Sequence, residues 1–196
     1  MKKMWWIIVA ALLVLLGALF VFKYTQSSQK QEVGACPFFN SISGVTFDDF
    51  ARSSPYYVRY YASDNVTKYP AYTSMDGHKV TLTRIGHSED YNFTMTSVNN
   101  KQVVSETKTV YSVDENSKKV KKYGVWQDFH IISFKNQSYA LIYFCIPPND
   151  GVHEVYRAIM SVSLDNDLAE PLAEDKDYNF TQGLYELPYK YREFYS

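Results

Sequence analysis

The sequence lacks the residue patterns from which most enzyme sites are built. Its 196 residues include only 2 cysteines and 4 histidines. No two histidines have the i, i+4 spacing, with an adjacent acid, that a zinc metalloprotease helix requires. The sequence also contains no Gly-x-Ser-x-Gly nucleophile turn, no glycine-rich phosphate loop and no recognisable pair of catalytic carboxylates. We therefore predict a binding protein and not an enzyme.

An excess of charge of either sign is also absent. The chain has 20 Lys and Arg against 21 Asp and Glu, for a formal net charge of −1. Nucleic-acid binding domains carry basic patches or stripes, so this balance argues against a nucleic-acid partner. The one basic stretch is Lys118–Lys122, interrupted by Val120. We interpret it as a solvated strand or hairpin edge, where lysine discourages edge-to-edge pairing.

A long hydrophobic run occurs once, at residues 5–22, directly after a basic leader that contains Lys2 and Lys3. A basic leader followed by an apolar core is the secretory pattern. The run is also just long enough to cross a bilayer, with the leader in the cytoplasm. We expect residues 1–28 to be either a cleaved signal peptide or a signal-anchor helix with a short linker. Residues 29–196 then form one extracytoplasmic domain, secreted or membrane-anchored, which contacts the membrane only through that segment.

The two cysteines are Cys36 and Cys145. In an oxidising compartment an even pair is typical of one disulfide, and free thiols or a zinc site are the alternatives. Zinc is disfavoured because no Cys-x-x-Cys or closely spaced histidine pair accompanies them. Four Asn-x-Ser/Thr motifs predict glycosylation in a eukaryotic secretory host. They begin at Asn65, Asn92, Asn136 and Asn179.

Helix signals are sparse, whereas 18 tyrosines and 12 phenylalanines accompany many Val and Thr residues, which favour strands. Eight candidate strands are separated by short Asn-, Asp-, Gly- and Pro-containing links. They are Tyr56–Ser63, His78–Ile85, Tyr91–Val98, Gln102–Val113, Lys118–Tyr123, Gln127–Phe134, Tyr139–Ile146 and His153–Val162. Short links imply an antiparallel meander, and eight such strands can close into an up-and-down barrel. The predicted fold is therefore an all-β, eight-stranded antiparallel barrel behind an N-terminal hydrophobic helix.

The glycosylation motif at Asn92 sets the facing of the third strand, because a glycosylated side chain must point outward. Alternation then directs the side chains on either side of Asn92 into the barrel. On the first strand the same reasoning places Tyr56, Val58 and Tyr60 inside. The row Ser105, Thr107 and Thr109 is unusual for a packed core, so we predict a cavity. The predicted ligand-binding residues are Val80, Leu82, Tyr91, Phe93, Met95, Ser105, Thr107 and Tyr111.

Three segments resemble the lipocalin family. The run from Ser138 to Cys145 is similar to the lipocalin strand in which Tyr-Ala-Leu-(Ile/Val) leads into a disulfide cysteine. The segments 46–50 and 55–61 resemble the lipocalin opening, where a Phe-Asp helical turn precedes a Gly-x-Trp-Tyr strand. A cysteine shortly before that opening, paired with the one that ends strand seven, is similar to the triabin and nitrophorin group of arthropod salivary lipocalins. The resemblance implies a Cys36–Cys145 bond and a carrier of small hydrophobic ligands.

The sequence departs from the lipocalin pattern at four points. Tyr56 stands where the family has Trp, at the closed end of the barrel. Ser161 or Ser163 stands where the family has an Arg that packs over that Trp. The second disulfide of the salivary group is missing. The long helix after the barrel is reduced to a short turn near 167–173, because Pro171 and Pro188 interrupt the polar tail.

Two further functions compete with the carrier. His87 lies near the position of the nitrophorin haem ligand, so haem binding through His87 is a minor alternative to having no cofactor. A protein partner bound through the outer loops, as an inhibitor or an adhesion ectodomain, is the main alternative function. An immunoglobulin-like sandwich is disfavoured because Cys36 precedes every predicted strand and Trp126 is remote from it.

Overall fold

A computed structural model describes residue 36 and residues 39–63, 73–147, 154–178 and 183–190. The predicted N-terminal hydrophobic helix and the motifs at Asn65 and Asn179 lie outside these residues. Neither described helix is long and apolar enough to cross a membrane.

Eight strands of 4 to 13 residues, called the long strands below, follow one another, as the alternating pattern predicted. A short helix α1 (Phe47–Arg52) precedes them, and a helix α2 (Ala169–Asp177) and a two-residue strand β9 (Tyr185–Glu186) come after them. The strands are β1 (Tyr56–Ser63), β2 (Gly77–Arg84), β3 (Asp90–Asn99), β4 (Gln102–Asp114), β5 (Lys119–Lys122), β6 (Val125–Lys135), β7 (Tyr139–Ile146) and β8 (Glu154–Ser161). Each observed boundary that falls among the described residues is within two residues of the predicted one.

The sheet is an antiparallel meander that closes on itself. Each strand from β2 to β7 pairs with the next one along the chain, and β1 pairs with both β8 and β2. Closure rests on two residue pairs between β1 and β2, Tyr56 with Val80 and Tyr57 with Lys79. The predicted eight-stranded up-and-down barrel is therefore confirmed.

Beyond Tyr57, strands β1 and β2 separate, and the C-terminal segment fills the gap. Strand β9 pairs with Tyr60 and Tyr61 on the same edge of β1. Further along, the hydroxyl of Tyr189 lies 3.0 Å from the carbonyl of Val58 and 2.6 Å from that of His78. It also accepts the His78 backbone N–H at 3.1 Å. This segment therefore completes the hydrogen bonding of the barrel seam.

The register of β1 corrects one predicted facing. A bulge shifts the pairing of β1 with β8 between Val58 and Tyr60. A bulge adds a residue and so reverses the facing of the residues that come after it in the strand. Val58 and Tyr61 consequently face the barrel interior, whereas Tyr60 packs outside against a second hydrophobic cluster. The prediction that Tyr60 points inward is therefore wrong.

Helix α1 closes one end of the barrel. It begins with a capping box, in which Thr46 accepts from the Asp49 backbone N–H and Asp49 accepts from that of Thr46. Phe47 and Phe50 on its buried face pack into the barrel core. Tyr56, which stands in the lipocalin Trp position, is fully buried and stacks on Phe50 with ring centroids 5.0 Å apart.

A second cluster covers the outer face of the barrel. It contains Tyr139, Leu141, Tyr143 and Cys145 of β7, Val155 and Ile159 of β8, and Phe39, Ile132 and Leu168. Helix α2 packs against β7 through part of this cluster. Pro171 is tolerated because it lies in the first turn, where a backbone N–H has no helical partner. The nine-residue helix α2 is longer than the predicted short turn.

The disulfide ties the N-terminal arm to the same outer face. Cys36 and Cys145 are bonded, with Cα atoms 5.8 Å apart, and they close a loop of 109 residues. The arm also donates the Ile42 N–H to the carbonyl of Ile131 on β6. The predicted pairing is thus confirmed.

Candidate ligand-binding cavity

The barrel encloses a cavity of about 410 Å³. Side chains from all eight long strands and from α1 surround it. The described lining residues are Phe47, Phe50, Val58, Tyr61, His78, Val80, Leu82, Phe93, Met95, Thr107, Tyr111, Lys122, Tyr123, Gln127, Ile142, Phe144, Ile146, Tyr156, Arg157, Ala158 and Met160. Helix α1 lies at the closed end, and the β3–β4 and β5–β6 hairpins lie at the opposite end. The volume is within the range of small-molecule sites, and the lining is largely apolar, as such sites usually are.

Six of the eight predicted ligand-binding residues line this cavity. They are Val80, Leu82, Phe93, Met95, Thr107 and Tyr111. The facing of β3 explains the agreement, because Asn92 is exposed and its two neighbours point the other way. The rings of Phe93 and Tyr111 lie 5.0 Å apart, so together they form an aromatic wall.

The other two predicted residues, Tyr91 and Ser105, are not among the described residues that line the cavity. Tyr91 is buried below the cavity, where its ring meets Phe47 at 4.8 Å and its hydroxyl donates to Asp48 Oδ1 at 3.1 Å. Burial, followed by that carboxylate contact, raises the pKa of Tyr91 to about 12. Ser105 is exposed near the far end of β4. Strand β5 pairs with β4 only at Tyr111–Asp114, so Ser105 lies well beyond that part of the wall.

The polar groups of the cavity come from several strands. His78 is buried on β2, and its Nδ1 lies 2.8 Å from the hydroxyl of Ser97 on β3. Thr107 and the buried Gln127 contribute a hydroxyl and an amide from β4 and β6. These groups can orient a polar atom of a ligand, since pockets combine apolar walls with a few placed polar groups.

Two cationic residues belong to the cavity lining, and their surroundings differ. Arg157 is buried, and its guanidinium donates to Asp175 of α2 at 2.8 and 3.3 Å. That side chain is therefore directed toward the outer helix. Lys122 ends β5, with its ammonium 5.8 Å from the Tyr111 ring centre and 5.3 Å from that of Tyr123. Tyr123 is 73% exposed, which places Lys122 where the cavity meets solvent.

Residues of β5 to β8 complete the wall, and the sequence pattern did not predict them. On β7 the inward residues Ile142 and Phe144 alternate with the outward residues Leu141 and Tyr143. Both faces of β7 are apolar because the outer face is also covered, so polarity gives no facing signal there. The disulfide instead indicates which face of β7 points outward. Since Cys145 bonds to the outer arm, Phe144 beside it must face inward.

The remaining predicted positions lie on the surface. His87 is exposed in the β2–β3 turn and does not line the cavity, so it is not placed to hold a haem inside the barrel. Asn136 is exposed in the β6–β7 turn, where its Oδ1 accepts from the Ser53 hydroxyl at 2.9 Å. Across the part of the chain that the structure describes, no cluster of three metal-binding side chains occurs.

No protein-family model and no curated protein matches this sequence. The structure, however, is similar to that of the siderocalin Ex-FABP, with a TM-score of 0.56 and 14% identity, covering 69% of this chain and 93% of that chain. Siderocalin Q83 gives a TM-score of 0.54 and 17% identity, covering 74% and 95%. A solution structure of the Q83 lipocalin whose expression the myc oncogene activates gives 0.54 and 15%, covering 74% and 93%. The described barrel, with its closing helix and outer helix, therefore has the lipocalin fold.

Proposed function

We propose that this protein is an extracellular carrier or sequestering protein for a small, largely hydrophobic ligand, held in the barrel and not chemically changed. The observation that carries the proposal is the 410 Å³ cavity lined mainly by aliphatic and aromatic side chains. Protein interiors are normally packed with few voids larger than a water molecule. An apolar space of this size is a ready site for a ligand whose apolar surface leaves water.

The structural comparisons support this proposal at the level of fold. The Ex-FABP structure is described as a siderocalin with dual ligand specificities, and that of Q83 as showing a dual ligand binding mode. A shared fold does not transfer a ligand, because function depends on the residues of the site. We therefore derive the ligand class from the lining of this cavity.

The Cys36–Cys145 bond supports the proposed export of the domain, because disulfides persist in oxidising compartments. We propose that residues 1–28 direct this export and that residues 29–196 form the functional domain, secreted or membrane-anchored. The disulfide position also supports the proposed closeness to the triabin- and nitrophorin-like salivary lipocalins. Asn92 and Asn136, both exposed, are accessible to glycosylation, and Asn65 and Asn179 remain predicted sites.

The test uses a pair of variants on the neighbouring strands β3 and β4. Phe93→Asp places a carboxylate in the cavity wall, where we expect at least roughly ten-fold weaker binding of a fluorescent fatty-acid or sterol probe. Val110→Asp is the control, because Val110 is 47% exposed on the outer face of β4 and should leave binding unchanged. Both variants should keep the far-UV β signature. Failure of the wild-type protein to bind any hydrophobic probe would refute the carrier function.

Protein binding without a small ligand is the second candidate. The observation in its favour is the set of exposed apolar side chains on β4 and β6, with Val103 57%, Val104 49% and Trp126 40% exposed. Native mass spectrometry of protein from its own source separates the two functions. A bound small molecule at one-to-one ratio supports the carrier, and a clean apo mass supports the protein-binding alternative.

A further inference from the structure

We propose that strand β4 binds a second copy of this chain, and that the two copies pair their β4 edges antiparallel about a two-fold axis at Thr107. The pairing extends from Val104 to Val110 in each copy. This proposal goes beyond the carrier function and does not depend on it, because each barrel keeps its own cavity.

The open edge of β4 is the first observation. Strand β4 runs from Gln102 to Asp114 and pairs with β3 along one edge. On the other edge, the described pairing with β5 covers only Tyr111–Asp114, because β5 is four residues long. Residues 102–110 therefore have no described strand beside them on that edge. An open strand edge presents N–H and C=O groups that can pair with another chain.

The outer face of this stretch carries two charged residues. Thr107 lines the cavity, so alternation places Glu106 and Lys108 on the opposite, outer face. Both are exposed, and the Lys108 ammonium lies 2.6 Å from the Glu106 carboxylate. Val104 and Val110, the next outward residues on either side, are also exposed. The stretch thus has one acid, one base and two valines arranged symmetrically about Thr107.

This order of residue types is self-complementary, which is the second observation. In an antiparallel pair about a two-fold axis, each residue lies opposite the one equally far beyond the axis in the other copy. An axis at Thr107 therefore places Glu106 of each copy opposite Lys108 of the other. The next outward pair places Val104 opposite Val110. Opposite-charge and apolar cross-strand pairs both stabilise a sheet.

Other positions of the axis give poorer pairs. An axis at Glu106 places two glutamates opposite each other, and an axis at Lys108 does the same with two lysines. Like charges directly opposite are destabilising. An axis at Ser105 or Thr109 places a valine opposite a charged residue. The sequence of β4 therefore favours Thr107 over its neighbours as the centre of the pairing.

The pairing is bounded at both ends. At one end, β5 occupies the edge from Tyr111 onward. At the other end, a bulge shifts the pairing of β4 with β3 next to Val104. A bulge bends its strand, so the tip of the β3–β4 hairpin leaves the line of the pairing. A contact this short is smaller than a standard interface, so we expect a weak dimer with a Kd on the order of 10–100 μM.

Sedimentation equilibrium over a range of protein concentrations measures this Kd. The disulfide-bonded protein is obtained by export of the full-length chain. Any N-linked glycans are removed enzymatically first, because Asn92 pairs with Val110 and a glycan there would lie on the same outer face. We expect a reversible equilibrium between monomer and dimer.

Charge reversals test the register. Glu106→Lys and Lys108→Glu each replace the two opposite-charge pairs across the axis with like-charge pairs, so each should raise the dimer Kd at least roughly ten-fold. The double variant, Glu106→Lys with Lys108→Glu, restores opposite charges across the axis and should return the Kd to within about three-fold of wild type. Lys135→Glu is the matched control, because it makes the same charge change at the exposed end of β6 and should leave the Kd unchanged. All variants should keep the far-UV β signature.

The outcomes decide the proposal. Loss of dimer in each single variant, with recovery in the double variant, supports it. A protein that is monomeric at every concentration refutes it and leaves the β4 edge to a strand of another protein. Single reversals without effect, or a double variant without recovery, also refute this contact.

Val110→Asp separates this proposal from the carrier function. The new carboxylate lies opposite Val104 of the second copy, so the dimer should weaken at least roughly ten-fold. The affinity for the fluorescent fatty-acid probe should not change, because Val110 is outside the described cavity lining. A dimer that Val110→Asp leaves intact would contradict the pairing without affecting the carrier function.

Discussion

Tyr56 shows how one residue can replace another at the closed end of a lipocalin fold. Its ring stacks on Phe50, and its hydroxyl donates to the Phe50 carbonyl at 2.9 Å. The phenol therefore both fills space and satisfies a backbone acceptor at the end of α1. Burial of this phenol also raises the pKa of Tyr56.

We predict that Tyr56→Phe lowers the free energy of unfolding by about 1 kcal/mol, because the Phe50 carbonyl loses the phenol hydrogen bond and keeps only the one from the Ser53 backbone N–H at 3.3 Å, while the ring packing remains. Urea denaturation measures the change. Tyr185→Phe on β9, where the side chain is 39% exposed, is the control and should change stability by less than about 0.5 kcal/mol. Equal effects of the two substitutions would argue against a special role for the Tyr56 hydroxyl.

Tyrosine ionisation supplies a pH prediction. Burial, followed by a hydrogen bond to Asp48 for Tyr91 and to Glu170 for Tyr139, raises each pKa from 10.0 to about 12. The folded state thus disfavours the phenolate relative to the unfolded state. The stabilisation is fully present below pH 10 and is lost as the pH rises toward 12. Urea midpoints should fall across that window, together with a rise in tyrosinate absorbance, and a flat midpoint would contradict this account.

At the scale of elements, a buried ion pair joins α2 to strand β8 of the barrel. Arg157 on β8 is 3% exposed, and its guanidinium donates to both carboxylate oxygens of Asp175 on α2. A buried pair of this kind adds little net stability over apolar residues of the same size, but breaking one side of it leaves a buried charge without its counter-charge.

We predict that Asp175→Asn destabilises the domain by about 3 kcal/mol or more, and that the double change Arg157→Met with Asp175→Leu recovers most of this loss. Arg52→Gln is the comparison. The Arg52 pair with Asp48 has side chains 71% and 24% exposed, so its loss should cost less than about 1 kcal/mol. Urea denaturation of the three variants ranks these effects. A small loss for Asp175→Asn would show that α2 is held by its apolar contacts alone.

The elements also show what the sequence can and cannot predict. All eight long strands are predictable because turn residues separate segments rich in Tyr, Val, Thr and Phe. The bulge after Val58 is not predictable, because an extra residue in one strand does not change the local pattern of residue types. Strand β9 escapes prediction because two residues carry no periodicity. It forms only where β1 leaves an edge that β2 no longer covers.

At the scale of the whole molecule, the sequence predicts only part of the candidate site. Inward residues of β2 to β4 are predictable because polar side chains mark their solvent face, as at Asn92. Strands β7 and β8 are covered on both faces, so their facing becomes clear only once the arm and α2 are in place. Ser105 lies outside the described lining, because alternation predicts which face a residue is on but not its position along the barrel axis.

The cavity also makes the stability of the molecule depend on its ligand. The closed end is packed by Phe47, Phe50 and Tyr56, whereas the part above it is open space lined by apolar side chains. A ligand that binds only the folded barrel at a hundred times its Kd adds about 2.7 kcal/mol. For a domain of this size that corresponds to a rise in Tm of roughly 5–10 °C. Differential scanning fluorimetry with lauric acid should show this rise in the wild type and in Val110→Asp but not in Phe93→Asp. An equal rise in all three proteins would place the ligand outside the barrel and leave the cavity without a role in binding.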